Sequence, residues 1–262
     1  MNSIRREKIY DFVKSKDLVT IDQLSELFPD VSTMTIHRDL SYLQEKGLLV
    51  KVRGGARRIN AADEQKSILM QKTVAVFSAR EGVNKEAKRT IAQKALSLLD
   101  NKKSVFIDAG TTAIELAKVA PNVNCNIITN GPNTALELSK NPLLTITLCG
   151  GILNKTNLAL SGATTMEMLA AINIEFAFVV STGYANDYGC TCGNETEHQI
   201  KTLVTQKAKQ SAMLFDTSKI GRVYAYTFAD IGDYDYLITE VDPLELPASL
   251  RDKAAAHNVT IL

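Results

Sequence analysis

The sequence predicts an α/β domain with a mostly parallel sheet, preceded by a small α+β domain of winged helix-turn-helix type. Three observations lead there. Two short helical patterns lie either side of a Pro29-Asp30 break, the spacing of two helices joined by a tight turn. A Gly54-Gly55 pair then separates two β-like runs, which is a hairpin signal. From about residue 84 onward apolar strands and amphipathic helices alternate, the pattern of a parallel sheet covered on both faces.

In order, residues 3 to 15 read as a helix with Ile9, Phe12 and Val13 on one stripe. Residues 21 to 28 form a second short helix with apolar positions Leu24, Leu27 and Phe28. Ser32 is a good N-cap for a third. In that helix Ile36, Leu40 and Leu43 recur at i, i+4 and i+7, so one stripe faces a core. The other face carries Thr33, Thr35, His37, Arg38 and Ser41, side chains that reach phosphates and base edges. Gly47 is placed to end the helix. The hairpin that follows is a wing, with Lys51, Arg53, Arg57 and Arg58 on or beside its tip to meet a sugar-phosphate backbone.

Periodicity fades from residue 59 to 73, which reads as a linker. The expected organisation is therefore a DNA-binding domain over 1–58, a linker over 59–73 and an α/β domain over 74–262. Within the last, strands are expected near residues 104–108, 126–129, 143–148, 176–181, 212–216, 236–239 and 259–262. Helices are expected near 86–99, 111–119, 132–139, 164–172, 194–209 and 247–257.

In open parallel sheets, ligands sit beyond the carboxyl ends of the strands. Small and polar residues collect at those ends: Asp108 with Gly110, Thr111 and Thr112; Asn130; Gly150-Gly151; Ser181; and Lys219, with Ser161-Gly162 near the same rim. Gly110 leads into a helix whose first amides favour a phosphate, and Thr111 and Thr112 add hydroxyls. Lys219 supplies a point charge, while Asp108 and Asn130 are suited to sugar hydroxyls.

Composition narrows the class. No apolar run reaches the roughly 20 residues of a membrane span and the N-terminus lacks an apolar leader, so a cytoplasmic protein with no membrane partner is expected. Four cysteines fit a reducing compartment; Cys190 and Cys192 are the one close pair, without the further ligands a metal site needs. Residues 1–60 hold eleven basic against eight acidic residues, net +3, whereas 61–262 hold nineteen against twenty-one, net −2. The positive excess sits with the DNA reader. It is modest, and a homo-oligomer that engages two half-sites would compensate.

Val31 to Leu40, followed by Gly47-Leu48-Leu49-Val50 and Arg53-Gly54-Gly55-Ala56, resembles the DNA-binding signature of the DeoR family of bacterial regulators. The family usually has a second basic residue where His37 stands. The resemblance continues through Ile107 to Thr112, Thr129-Asn130, Gly150-Gly151, Ser161-Gly162, Asn194-Glu195 with Lys201, and Asp216 to Lys219 with Gly221, spanning about residues 3 to 240. It implies an effector domain similar in fold to ribose-5-phosphate isomerase and glucosamine-6-phosphate deaminase. It also implies a repressor of a carbohydrate operon whose affinity for double-stranded operator DNA follows a bound phosphorylated sugar, with no cofactor. The alternative is a sugar-phosphate isomerase or deaminase with an attached DNA-binding module. Against it, Ser181-Thr182-Gly183-Tyr184 offers no carboxylate or histidine where such isomerases carry their proton-transfer acids.

Overall fold

A computed structural model describes residues 2–16, 18–46, 48–60, 80–99, 103–121 and 124–262. The expected helix stop at Gly47 and most of the expected linker, 61–73, lie outside the described residues. The chain divides into two compact units, Met1–Lys72 and Thr73–Leu262.

The first unit holds α1 (Asn2–Ser15), β1 (Leu18–Thr20), α2 (Ile21–Leu27), α3 (Thr33–Glu45), β2 (Val50–Val52) and β3 (Gly55–Arg57). Local chemistry accounts for the starts of α2 and α3. Thr20 caps α2 through a reciprocal pair with Gln23, and Ser32 Oγ accepts the Thr35 amide at 3.3 Å. Ile9, Val13, Leu24, Ile36, Leu40, Leu43 and Leu49 close into one core. The wing hairpin β2–β3 is joined by β1, an addition to the expected hairpin, to give an antiparallel sheet in the order β1-β3-β2.

Asp39 is the one fully buried charge of this unit among the described residues, sitting in the buried stripe of α3. It accepts hydrogen bonds from Arg5 Nε at 2.6 Å and Arg6 Nε at 2.7 Å, which ties α1 to α3. The Arg6 guanidinium also lies 3.8 Å from the Tyr42 ring centroid. Asp39→Ala should lower the stability of this unit by about 1.5–3 kcal/mol, the value of charge-assisted hydrogen bonds. Urea denaturation followed by circular dichroism checks it, and a loss below about 0.5 kcal/mol would place Asp39 among ordinary surface pairs.

The second unit is built on a seven-stranded sheet in the order β15-β14-β12-β9-β4-β5-β6. Its strands are β4 (Ser104–Ile107), β5 (Asn126–Thr129), β6 (Thr145–Leu148), β9 (Phe176–Val180), β12 (Gln210–Leu214), β14 (Tyr236–Ile238) and β15 (Thr260–Ile261). All seven run parallel. Both faces are covered, one by a cluster around Phe106, Leu169, Ile200 and Phe215, the other by a cluster around Ile91, Ile107, Leu116 and Phe178. The covering helices are α4 (Lys85–Ala95), α5 (Thr111–Lys118), α6 (Pro132–Leu138), α7 (Ala163–Ala171), α8 (Glu195–Lys207) and α9 (Ala248–Ala256).

Two small antiparallel ribbons complete the unit and were not anticipated. One is the hairpin β7 (Ile152–Asn154) to β8 (Ala159–Ser161); the other joins β10 (Gly183–Ala185), β11 (Gly189–Cys192) and β13 (Tyr226–Ala229). Cys190 and Cys192 sit buried in β11 as free thiols, pushed above the ordinary cysteine range by burial, Cys192 to about 11. Among the described residues no three His, Cys, Asp or Glu side chains gather as a metal site, and no helix is long and apolar enough to cross a membrane.

Candidate functional site

The strand order determines where a ligand can sit. The chain leaves β4 for β5 and β6 on one side, then returns to β9 and continues through β12, β14 and β15 on the other. Adjacent connections that depart in opposite directions leave a crevice at the carboxyl ends of β4 and β9. A cavity of about 370 Å³ lies there.

Of the residues expected at strand ends, Asp108, Gly110, Thr111, Thr112, Asn130, Ser181 and Lys219 line this cavity. Gly110 starts α5 at φ +140°, and a Cβ there would meet Val180 Cγ2 at 3.1 Å, so the turn requires glycine. No side chain caps the first amides of α5, which leaves the positive end of that helix on the cavity wall.

Gly150, Gly151, Ser161 and Gly162 do not line the cavity. They form the base of the β7–β8 hairpin: Gly151 has φ +138°, and a Cβ would meet Ser161 O at 2.5 Å and Thr165 Oγ1 at 2.2 Å. Their contribution is indirect, because the tip of this hairpin brings Asn157 to the cavity, where Asn157 Nδ2 donates to Glu197 Oε1.

Asp108 is held at the floor. Its Oδ1 accepts the Ala109 amide at 2.8 Å, and its Oδ2 accepts the Val180 amide at 3.2 Å and the Lys201 ammonium. Lys201 also donates to Val180 O at 2.8 Å. Burial pushes the Asp108 carboxyl up, opposed by Lys201. Burial also depresses the Lys201 ammonium, but Asp108 and then Glu197 outweigh it and hold Lys201 above the ordinary lysine range. Asn130 is likewise engaged, accepting the Ala109 amide at 3.0 Å and donating to Leu160 O at 3.3 Å.

The cavity wall is cationic, lined by Arg80, Lys88, Lys219 and Arg222 as well as by Glu197. Lys88 donates to the carbonyls of Arg80 and Val83, and its ammonium is lowered, chiefly by burial. Arg80 donates to Thr156 O at 2.8 Å, and Asn84 Nδ2 to Asp216 Oδ1 at 2.8 Å and Ser218 Oγ at 2.9 Å. Residues 80–84 therefore form a strap fastened to the β7–β8 hairpin and to the loop after β12. Lys219 lies 3.8 Å from Asp216, whose carboxyl is held below its usual range. Burial opposes that shift, and the Ser218 hydroxyl, Lys219 and Asn84 outweigh it.

Sequence reasoning put neither Lys88 nor Lys201 among the site residues, although Lys201 stands in the family resemblance; it also left out Asn157, Arg80 and Arg222, and reached Glu197 only as a carboxylate expected near the pocket. A signal existed for the first two: Lys88 stands in the apolar stripe of α4 with Ile91 and Ala95, and Lys201 in that of α8 with Ile200 and Val204. A lysine at a core position must find a partner or a cavity.

In the first unit, His37, Arg38, Ser41 and Lys51 share one surface groove. Ser41 Oγ donates to His37 O at 2.9 Å and accepts Lys51 Nζ at 3.0 Å, while the Lys51 amide donates to Gln44 Oε1 at 2.8 Å. The wing is thereby pinned to α3. Ser32, Thr33 and Thr35 lie at the start of α3, with the Ser32 and Thr35 hydroxyls 3.0 Å apart. Arg53 is exposed at the wing tip, and Arg57 and Arg58 are at and just past the end of β3.

Two family models match the chain: the DeoR-like helix-turn-helix domain over residues 5–62 and the DeoR C terminal sensor domain over residues 83–241. The chain belongs to the DeoR family. This DeoR-family chain is 33% identical over 245 residues to the HTH-type transcriptional repressor GlcR of Bacillus subtilis, covering 94% of this chain and 91% of the relative. It is 27% identical over 256 residues to the L-fucose operon activator of Haemophilus influenzae, covering 97% of each. A ribose 5-phosphate isomerase A from Methanocaldococcus jannaschii aligns with a TM-score of 0.38 and 16% identity, over 52% of this chain and 55% of that one. The DeoR-family chain is a DNA-binding transcriptional regulator with a sensor domain, not an enzyme.

Proposed function

We propose that this regulator is a repressor of a carbohydrate-utilisation operon, and that a phosphorylated sugar in the β4/β9 cavity sets its affinity for operator DNA. The observation that carries the reading is the pairing of chemistries within one cavity. An uncapped helix start with Thr111 and Thr112, ringed by lysine and arginine, suits a phosphate, while Asp108, Asn130 and Glu197 suit hydroxyls. The repressor sign leans on the relative named a repressor.

Residues 1–58 act as the DNA reader, with Ser32, Thr33, Thr35, His37, Arg38 and Ser41 toward the groove and Lys51, Arg53, Arg57 and Arg58 toward phosphates. Residues 59–73 link it to the effector domain, 74–262. A homo-oligomer presents two readers to two half-sites, since one modestly basic reader gains affinity by bivalence. An effector that binds two assemblies or inter-domain arrangements of the chain unequally must shift operator affinity by the same free energy. That coupling is typically about 1–3 kcal/mol.

A thermal-shift screen against phosphorylated sugars tests the proposal. At a hundred times its Kd the effector should stabilise the protein by about 2.7 kcal/mol, and the same compound should change operator affinity in a gel-shift titration. A panel in which no phosphosugar moves either quantity would leave the second domain as an assembly module.

A further inference from the structure

We propose that Met34 reads DNA sequence, packing its side chain against the C5-methyl group of a thymine in the major groove. The inference rests on α3 being the helix that docks on DNA.

Met34 lies in the first turn of α3, 65% exposed, and lines the same surface groove as His37, Arg38 and Ser41. These four stand at i, i+3, i+4 and i+7, so they form one row along the helix. The buried stripe of Ile36, Leu40 and Leu43 lies on the opposite side. Met34 therefore points away from the core that every other apolar residue of α3 except Tyr42 enters; Tyr42 borders the same groove, off the row, with the Arg6 guanidinium on its ring.

The polar neighbours are partly spent on the fold. The Ser32 and Thr35 hydroxyls face each other across the cap, and Ser41 is taken by His37 O and Lys51 Nζ. Arg38 and His37 remain on the row to hydrogen-bond base edges, and Met34 is its one apolar member. Thymine alone among the bases presents a methyl group to the major groove, and apolar side chains are what read it. An unbranched thioether adapts to the methyl's position without a fixed rotamer.

Deoxyuridine supplies the test, because it pairs like thymidine and lacks only the methyl. The full chain first selects its preferred duplex from a random pool, and each thymine is then replaced singly. The wild-type protein should lose about fourfold in affinity at one thymine per half-site, the equivalent of about 0.8 kcal/mol for one buried methyl. Met34→Ala should bind the thymine and uracil duplexes equally there while keeping the wild-type salt dependence, and Met34→Leu should restore the preference. The proposal falls if no thymine responds in the wild type, or if Met34→Ala still responds as the wild type does. In either case selection of a duplex would leave the docking of α3 standing. Failure to select any duplex would overturn both.

Discussion

Lys201→Met is expected to destabilise the sensor domain by about 3–5 kcal/mol at neutral pH, the cost of stranding a buried carboxylate. Lys201 and Asp108 are 5% and 2% exposed, and the ammonium is the one cationic partner of that carboxylate among the described residues. The pH dependence follows from the direction of the Asp108 shift. Burial raises this acid above its unfolded value, so without Lys201 the charged form is penalised wherever the unfolded carboxylate would be ionised. Because the shift is upward, lowering the pH from 7 toward 5 favours the protonated form of Asp108 in the fold before the unfolded chain takes up that proton, which should lessen the penalty. The deficit relative to wild type should therefore narrow as pH falls, and the double variant Asp108→Asn/Lys201→Met should recover much of it. Urea denaturation at both pH values decides the matter: a deficit under about 1 kcal/mol at pH 7 would mean that water solvates the pair.

Arg38→Ala should weaken operator binding by about 1–3 kcal/mol, five- to 150-fold, and relax base preference at one position. Arg38 is exposed on the outward row of α3, with no ion pair to it among the described residues, so its removal should leave the fold unchanged. The wing arginines should behave differently. Losing Arg57 or Arg58 should weaken binding to all sequences alike and reduce the slope of log affinity against log salt by about one. Equal loss of affinity on preferred and random duplexes for Arg38→Ala would move it from base reader to phosphate contact.

The helix-turn-helix was legible because each of its signals is local: the Ser32 cap, the 3.6-residue stripe and the turn at Pro29-Asp30. The long parallel strands were legible for the same reason, their runs being apolar on both faces. Of the three-residue strands, β2 and β3 were marked by the Gly54-Gly55 turn and β14 by its apolar run, whereas β7, β8 and β10 escaped because neither signal sets them off and pairing alone makes them strands. Gly150, Gly151, Ser161 and Gly162 shared the small-residue signature of the cavity loops. Only the hairpin they support separates a turn needed for geometry from a turn that faces a ligand.

What the sequence determined by itself was the inventory: two domains, the helix-turn-helix, an α/β sheet and the strand ends on which small polar residues collect. What the tertiary structure decided was which of those ends meet. Strand order places β4 beside β9 and sends the chain away from them in opposite directions, and that juxtaposition opens the cavity. It also brings Lys201 from α8 and Asn157 from a hairpin onto residues far away in the chain, and sets Lys88 of α4 in the same cavity wall. Period, caps and turns are properties of neighbours along the chain, whereas a binding site is made by neighbours across it.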